Sequence, residues 1–209
     1  MYTLLGSPGA ASMAAHWLLI EIGAKYQYQR VDLAKGEHKL PSFLQLNPNG
    51  VVPVLYIEGE PVYESAALVM LLAERHPEAR LAPAVGTRER SLYLQWCVHF
   101  ANTLQPAYRG WFYPEEWAGP LGAERVKAEA RVRIEAAWDR LEAHLLAHGP
   151  WIAGAQLSAV DFQVAMLARW SRHMPKPATA WPTLARLLAQ MKARPSFQTL
   201  QAVEGWSDA

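Results

Sequence analysis

Cysteine is almost absent from this chain: of 209 residues only Cys97 carries a thiol, which excludes an intramolecular disulfide and any Cys-x-x-Cys redox pair. Its setting, Tyr93-Leu94-Gln95-Trp96-Cys97-Val98, predicts a buried helical residue and not a reactive group. An excess of one charge is also lacking. With 20 Lys and Arg against 19 Asp and Glu, and the two signs interleaved, the composition gives no support for nucleic-acid binding or for electrostatic attachment to a membrane. No uninterrupted apolar stretch approaches spanning length, and the opening Met1-Tyr2-Thr3-Leu4-Leu5-Gly6 has no basic segment followed by an apolar one, so a cytoplasmic location is expected. There is no internal repeat and no low-complexity segment.

What is present is an ordinary globular composition, 51% hydrophobic, in a length that can bury one large core or two modest ones. The patterning divides the chain. Tyr2 to Leu5 reads as a short strand, Ala11 to Ile22 has helical spacing closed by Gly23, and Tyr26 to Val31 reads as a second strand. A short helix near Pro41 to Leu46 follows. Val54 to Ile57 and Pro61 to Tyr63 form a hairpin about Glu58-Gly59-Glu60, and Ser65 to Arg75 is a helix closed by Pro77. The order β-α-β-α-β-β-α suits a thioredoxin-like α/β domain over residues 1–77. Residues 78–86 lose periodicity to Pro, Ala and Gly and read as a linker. Over residues 87–209 no strand pattern appears, and an all-α domain is expected. Its first run, Thr87 to about Tyr113, is predicted to kink at Pro106. Its second spans Leu121 to His148. Ser158-Ala159-Val160-Asp161 has the spacing of a capping box, with Asp in the usual Glu position, opening a helix that runs to about Arg172. Two short helices near Leu184 to Ala193 and Phe197 to Val203 finish the chain.

The most informative stretch lies between Asn47 and Ser65. A Val52-Pro53 step entering a strand gives up a ladder donor and restricts the residue before it. Were that bond cis, the tight bend would leave the Val52 N–H and C=O free to pair with an extended ligand backbone. Glu64-Ser65 then opens a helix, whose first amides, with the Ser65 hydroxyl, can hold a carboxylate. The ligand implied has a carboxylate and a peptide-like section. A second helix N-terminus, at Ser7-Pro8-Gly9-Ala10-Ala11-Ser12-Met13, offers hydroxyls and amides to another anion.

On these residues the chain resembles the cytosolic glutathione transferases over essentially its whole length. The stretch from Ser7 is similar to that of bacterial members reading Ser-Pro-Gly-Ala-Cys-Ser, with Ala11 at the cysteine position and Ser12 and His16 in step. The resemblance implies the two-domain transferase fold, with glutathione as co-substrate and no metal. It implies that Val52 and Pro53 hold the cysteinyl backbone, Glu64 and Ser65 the γ-glutamyl end, and His38 and Lys39 the glycine carboxylate. The thiol would be activated as thiolate by a serine hydroxyl, Ser12 ahead of Ser7, because the cysteine able to form a mixed disulfide is absent. Where the family often has glutamine before the Val-Pro step this chain has Val51, so one contact is expected to be missing. Tyr2 and His16 read as packing residues.

Tyr108, Trp111 and Phe112 are expected to line an apolar site for a hydrophobic electrophile. The resemblance further implies a homodimer, with Tyr63 and Val69-Met70 among the apolar surface available to it. Three readings remain open: a transferase, with or without peroxidase activity; a glutathione-dependent isomerase or dehalogenase, against which Ala11 counts; and a binding protein without turnover.

Overall fold

Strand β1, Tyr2–Gly6, becomes fully buried toward its C-terminal end, and its pairings organise the first part of the chain. It runs parallel to Tyr26–Arg30 (β2) and antiparallel to Val54–Ile57 (β3), which pairs antiparallel with Glu60–Tyr63 (β4), giving the order β2-β1-β3-β4. A parallel β1–β2 pair requires a crossover, and helix α1, Met13–Glu21, supplies it. Every residue from Met13 to Leu19 is buried, as the absence of a polar face in this helix dictates. The β3–β4 turn is shorter than the sequence suggests. Glu60 pairs with Ile57, leaving Glu58-Gly59 alone in the loop with φ of 56° and 91°, the doubly positive geometry that matches strand twist. Helix α2 is one turn, Pro41–Leu44, and α3 spans Ser65–Arg75 with Leu68, Val69 and Leu72 buried. Val69 is therefore core and offers no surface to a partner.

The computed structural model describes residues 1–206 and separates into two compact units. One is Met1–Ala82 together with the segment from Met191, and the other is Pro83–Gln190. The break falls inside the expected linker. The last helix, which position alone assigned to the helical half, instead belongs to the first unit. This helix, Pro195–Glu204 (the ninth, α9), is tied to α1 by polar contacts that periodicity cannot reveal. Trp17 Nε1 donates to Ser196 Oγ at 2.8 Å, and the Arg194 guanidinium and Ser196 hydroxyl both meet the Glu21 carboxylate. Phe197 packs on Trp17 with ring centroids 4.9 Å apart.

The second unit is helical. Thr87 caps α4, Arg88–His99, by accepting the Arg90 N–H at 3.1 Å. A π-helical turn at Phe100–Leu104 then leads into α5, Gln105–Phe112. The irregularity predicted at Pro106 thus lies one turn earlier, because a proline lacks the N–H that would continue the ladder behind it and the wider turn absorbs the loss. Helix α6, Glu115–His148, begins before the expected Leu121 and is broken at Gly119, whose φ of 62° and ψ of −178° are not helical. Pro120 starts the long portion, at the position where a proline costs least. Helix α8 is Pro182–Lys192, and its first amides, those of Thr183 and Leu184, donate to the Glu142 carboxylate of α6. Among the described residues no helix is long and apolar enough to cross a membrane.

Helix α7, Ala159–Trp170, is the buried centre of this unit, every residue from Ala159 to Ala168 being enclosed. Its capping box forms. The fully buried Asp161 carboxylate accepts the Ile152 N–H at 3.0 Å, the Ser158 N–H at 2.9 Å and the Ser158 hydroxyl at 3.1 Å. Burial still outweighs those donors and pushes Asp161 up to about 6. Burial, with the Asp161 charge adding to it, likewise pushes the Cys97 thiol up to about 12, so the single cysteine is an inert core residue.

Asp161→Asn is expected to lower unfolding free energy by about 3 kcal/mol at pH 4, because an amide nitrogen cannot accept the Ser158 N–H, whereas a protonated carboxyl oxygen at that place still can while donating to the Ser158 hydroxyl. Since the folded carboxyl titrates above its unfolded value, the stability it contributes is complete below about pH 4 and is lost as pH rises through 6. The gap between wild type and Asp161→Asn in urea unfolding should therefore narrow by about 2 kcal/mol between pH 4 and pH 7.

Candidate active site

The loop between β1 and α1 is built around Ser12. Its hydroxyl accepts the Ser7 N–H at 3.0 Å and donates to the Ser7 carbonyl at 3.1 Å, while Ala10 N–H reaches the same carbonyl at 3.0 Å. Gly6 makes this closure possible: a Cβ there would lie 2.6 Å from both Cβ and Oγ of Ser12. Ser12 is 0% exposed, and both hydrogen-bonding roles of its hydroxyl are taken by the Ser7 backbone. Ser12, the serine that the sequence placed first as the anion-facing hydroxyl, is thus enclosed and engaged with the loop backbone. Ser7 is half-buried, and its own hydroxyl has no recorded partner among the described residues. Ser12 shapes the loop.

Helix α3 is joined to this loop. The Ser65 hydroxyl donates to the Ala11 carbonyl at 2.9 Å, and Ser65 is buried. Its proton is committed to the loop, so what α3 offers an anion is its first-turn amides, which receive no side-chain cap. Glu64, directly before them, is exposed and holds φ 78°, ψ 107°. A side-chain-bearing residue rarely adopts that conformation, and such outliers gather at ligand sites.

The Val52-Pro53 bond is cis. The Val52 side chain is buried with Leu5, Val31, Phe43 and Val54. Its backbone N–H and C=O have no recorded hydrogen bond among the described residues. The turn that delivers Val52 is organised by Asn47, a residue sequence reasoning passed over. Buried, it donates from Nδ2 to the Val51 carbonyl at 2.7 Å and accepts the Asn49 N–H at 3.1 Å. An Asn ahead of Pro48-Asn49-Gly50 was its only sequence signal. Lys39, exposed at the end of the 3₁₀ turn Glu37–Lys39, donates to the Gly50 carbonyl at 2.8 Å. His38 is half-buried in the same turn, and Val51 is exposed. Tyr2 bonds through its hydroxyl to His76 Nε2 at 3.0 Å, a packing role. His16 is completely buried. Among the described residues no group of three or more His, Cys, Asp or Glu is placed to hold a metal ion.

In the helical unit the three aromatic candidates separate. Tyr108 is 1% exposed, its ring 5.5 Å from Trp170 edge-on and 6.0 Å from Phe112 in a stack, and burial pushes its phenol up. It is a core residue and not a surface for ligand. Helical spacing marked an aromatic face but not which member α7 would cover. Phe112 is 47% exposed, and Trp111 is half-buried with the Lys127 ammonium 4.8 Å from its ring centroid.

Ser12→Ala removes both ties to Ser7 and is expected to cost about 2 kcal/mol in urea unfolding. Gly6→Ala should cost about as much through overpacking against Ser12, and the double variant should cost less than the two summed, because removing the Ser12 hydroxyl relieves half the clash.

Residues 1–74 match the family model described as Glutathione S-transferase, N-terminal domain, and residues 124–209 match Glutathione S-transferase, C-terminal domain. The sequence is 26% identical over 204 residues to glutathione S-transferase GstA of Escherichia coli O157:H7, covering 97% of this chain and 98% of that protein. It is 30% identical over 174 residues to the GST-like protein YncG of Escherichia coli K12, covering 81% of this chain and 82% of that one. Among solved structures it is similar to a glutathione transferase homologue from Sulfitobacter with bound glutathione, at a TM-score of 0.90 and 28% identity over 97% of this chain and 98% of the other. Both halves of the sequence and the observed fold agree, and the chain belongs to the glutathione S-transferase family.

Proposed function

We propose that this glutathione S-transferase holds glutathione along the edge of its first unit and activates the thiol with the Ser7 hydroxyl for attack on a hydrophobic electrophile. The observation that carries the reading is the Ser65–Ala11 hydrogen bond, because it joins a helix N-terminus suited to a carboxylate to the loop that presents Ser7. The first-turn amides of α3, with Glu64 in its unusual conformation, receive the γ-glutamyl end. The backbone of Val52, unpaired among the described residues, takes the cysteinyl N–H and C=O, fixed in place by Pro53 and by the Asn47 turn. His38 and Lys39 face the glycine carboxylate as hydrogen-bonding and cationic groups.

A hydroxyl that donates to sulfur favours the charged form and lowers the thiol's pKa, so the proton leaves to solvent and no separate base is required. The thiolate electron pair then forms the bond to the electrophilic carbon, and the leaving group departs with the pair of the bond that breaks. With Ala11 where a cysteine would stand, no enzyme sulfur competes as nucleophile. Phe112 and Trp111 supply the aromatic surface for the electrophile, with Tyr108 packed behind Phe112. The enzyme acts in the cytoplasm as a homodimer.

Steady-state kinetics with an aryl halide test the assignment. Ser7→Ala is expected to lower kcat about thirtyfold with KM for glutathione changed less than about threefold, the pattern of a contact made to the developing thiolate. Ser12→Ala should affect kcat through loop geometry and show lower stability besides. Full activity in Ser7→Ala would remove Ser7 from the mechanism, and failure of wild type to bind glutathione would overturn the whole reading.

A further inference from the structure

The last helix delivers a buried carboxylate to the loop that carries Ser7. Glu204, at the end of α9, is 3% exposed, and its side chain, like that of His16, is fully enclosed. Its Oε2 accepts the Gly9 N–H at 2.8 Å and the Trp206 Nε1–H at 2.7 Å. Its Oε1 lies 2.7 Å from His16 Nδ1, and His16 Nε2 lies 3.0 Å from the Tyr26 hydroxyl. The imidazole is stacked on Tyr28 at 4.3 Å and 16°. Gly9 sits two residues beyond Ser7 with φ 66°, and His16 is on the first turn and a half of α1, its N–H bonded to the Ser12 carbonyl at 2.9 Å.

One carboxylate therefore grips the loop at Gly9 and the helix that follows it at His16. A buried carboxylate satisfied by three donors of fixed direction is geometrically demanding, and here two of those donors bracket Ser12. We infer that Glu204 is a positioning residue of the thiolate site: it sets the plane of the Pro8–Gly9 peptide and the pitch of α1, and through them the aim of the Ser7 hydroxyl. The inference rests on the reading of the Ser7 loop given above. Reactions of this kind lose rate steeply with displacements of about 1 Å, so a loop relaxed by loss of its clamp binds glutathione and activates it poorly.

Glu204→Met keeps the length and fills the volume without an acceptor. Glu204→Gln keeps an oxygen for Gly9 and Trp206, and its amide can donate to His16 Nδ1 once the ring proton moves to Nε2. In the full-length enzyme, the thiolate absorbance of bound glutathione is titrated with pH, and kcat and KM are measured. The methionine variant should raise the bound thiol's pKa by about one unit and lower kcat about tenfold with KM within about twofold, and the glutamine variant should restore both to within about threefold. Ser196→Ala loosens the same helix at Trp17 and Glu21 without touching the loop, and should lower stability with pKa and kcat unchanged. An unshifted pKa and kcat in Glu204→Met, or the same shifts in Ser196→Ala, would overturn the inference. Should the methionine variant fail to fold, hydrogen exchange of the wild-type Gly9 amide decides: protection like that of α1 amides supports the clamp, and exchange at an exposed-loop rate contradicts it. Wild type that shows no thiolate refutes the Ser7 reading instead, while Gly9 exchange still judges the contact itself.

Discussion

A single enclosed hydroxyl, that of Ser12, satisfies both backbone groups of Ser7 and so closes the loop on which the proposed site stands. Everything nearby is arranged to permit or exploit that closure. Gly6 leaves the space that a methyl group would take, Ala11 turns its carbonyl to Ser65, and Gly9 turns its amide to Glu204. The loop is held at three points by side chains from three different elements. This rigidity is what preorganised electrostatics requires, since a donor that must be reoriented at the moment of reaction contributes little.

The same logic separates residues that contact a substrate from those that place them. Asn47 fixes the turn before Val52, and the Val52 backbone has no internal partner among the described residues. Polar groups of a folded chain are ordinarily paired, and the proposed glutathione contact at Val52 rests on its departure from that rule. In the helical unit, Asp161 has the opposite assignment. Its carboxyl, raised by burial, could be mistaken for a catalytic acid, yet its side-chain hydrogen bonds among the described residues are with Ile152 and Ser158, and its work is to start α7.

The fold was legible in the sequence to the level of elements and their order. Strand runs, the glycine after α1, the hairpin at Glu58-Gly59 and the capping box at Ser158 are local signals, and local physics forms them. The assignment of His16 to packing and of Cys97 to the core followed from helical spacing alone. What escaped was set by distance along the chain. Glu204 meets His16 across a separation of 188 residues, and nothing in either segment announces the other; this contact joins those of Ser196, Arg194 and Phe197 in tying the last helix to α1. The inward turn of Ser12 escaped for a subtler reason, because Ser7 and Ser12 lie in one turn and only the backbone path past Gly6 decides which hydroxyl turns inward. Tyr108 shows the limit of aromatic patterning: a stripe at helical spacing identifies a face, and its burial depends on what α7 places opposite.

The most direct test of the account is the ultraviolet difference spectrum of glutathione bound to the wild-type enzyme, followed with pH. A thiolate band that persists at least about one unit below the ordinary thiol pKa is the result the Ser7 site requires. Saturable binding with a thiol that titrates at its solution value would contradict it, leaving a protein that holds glutathione without activating it.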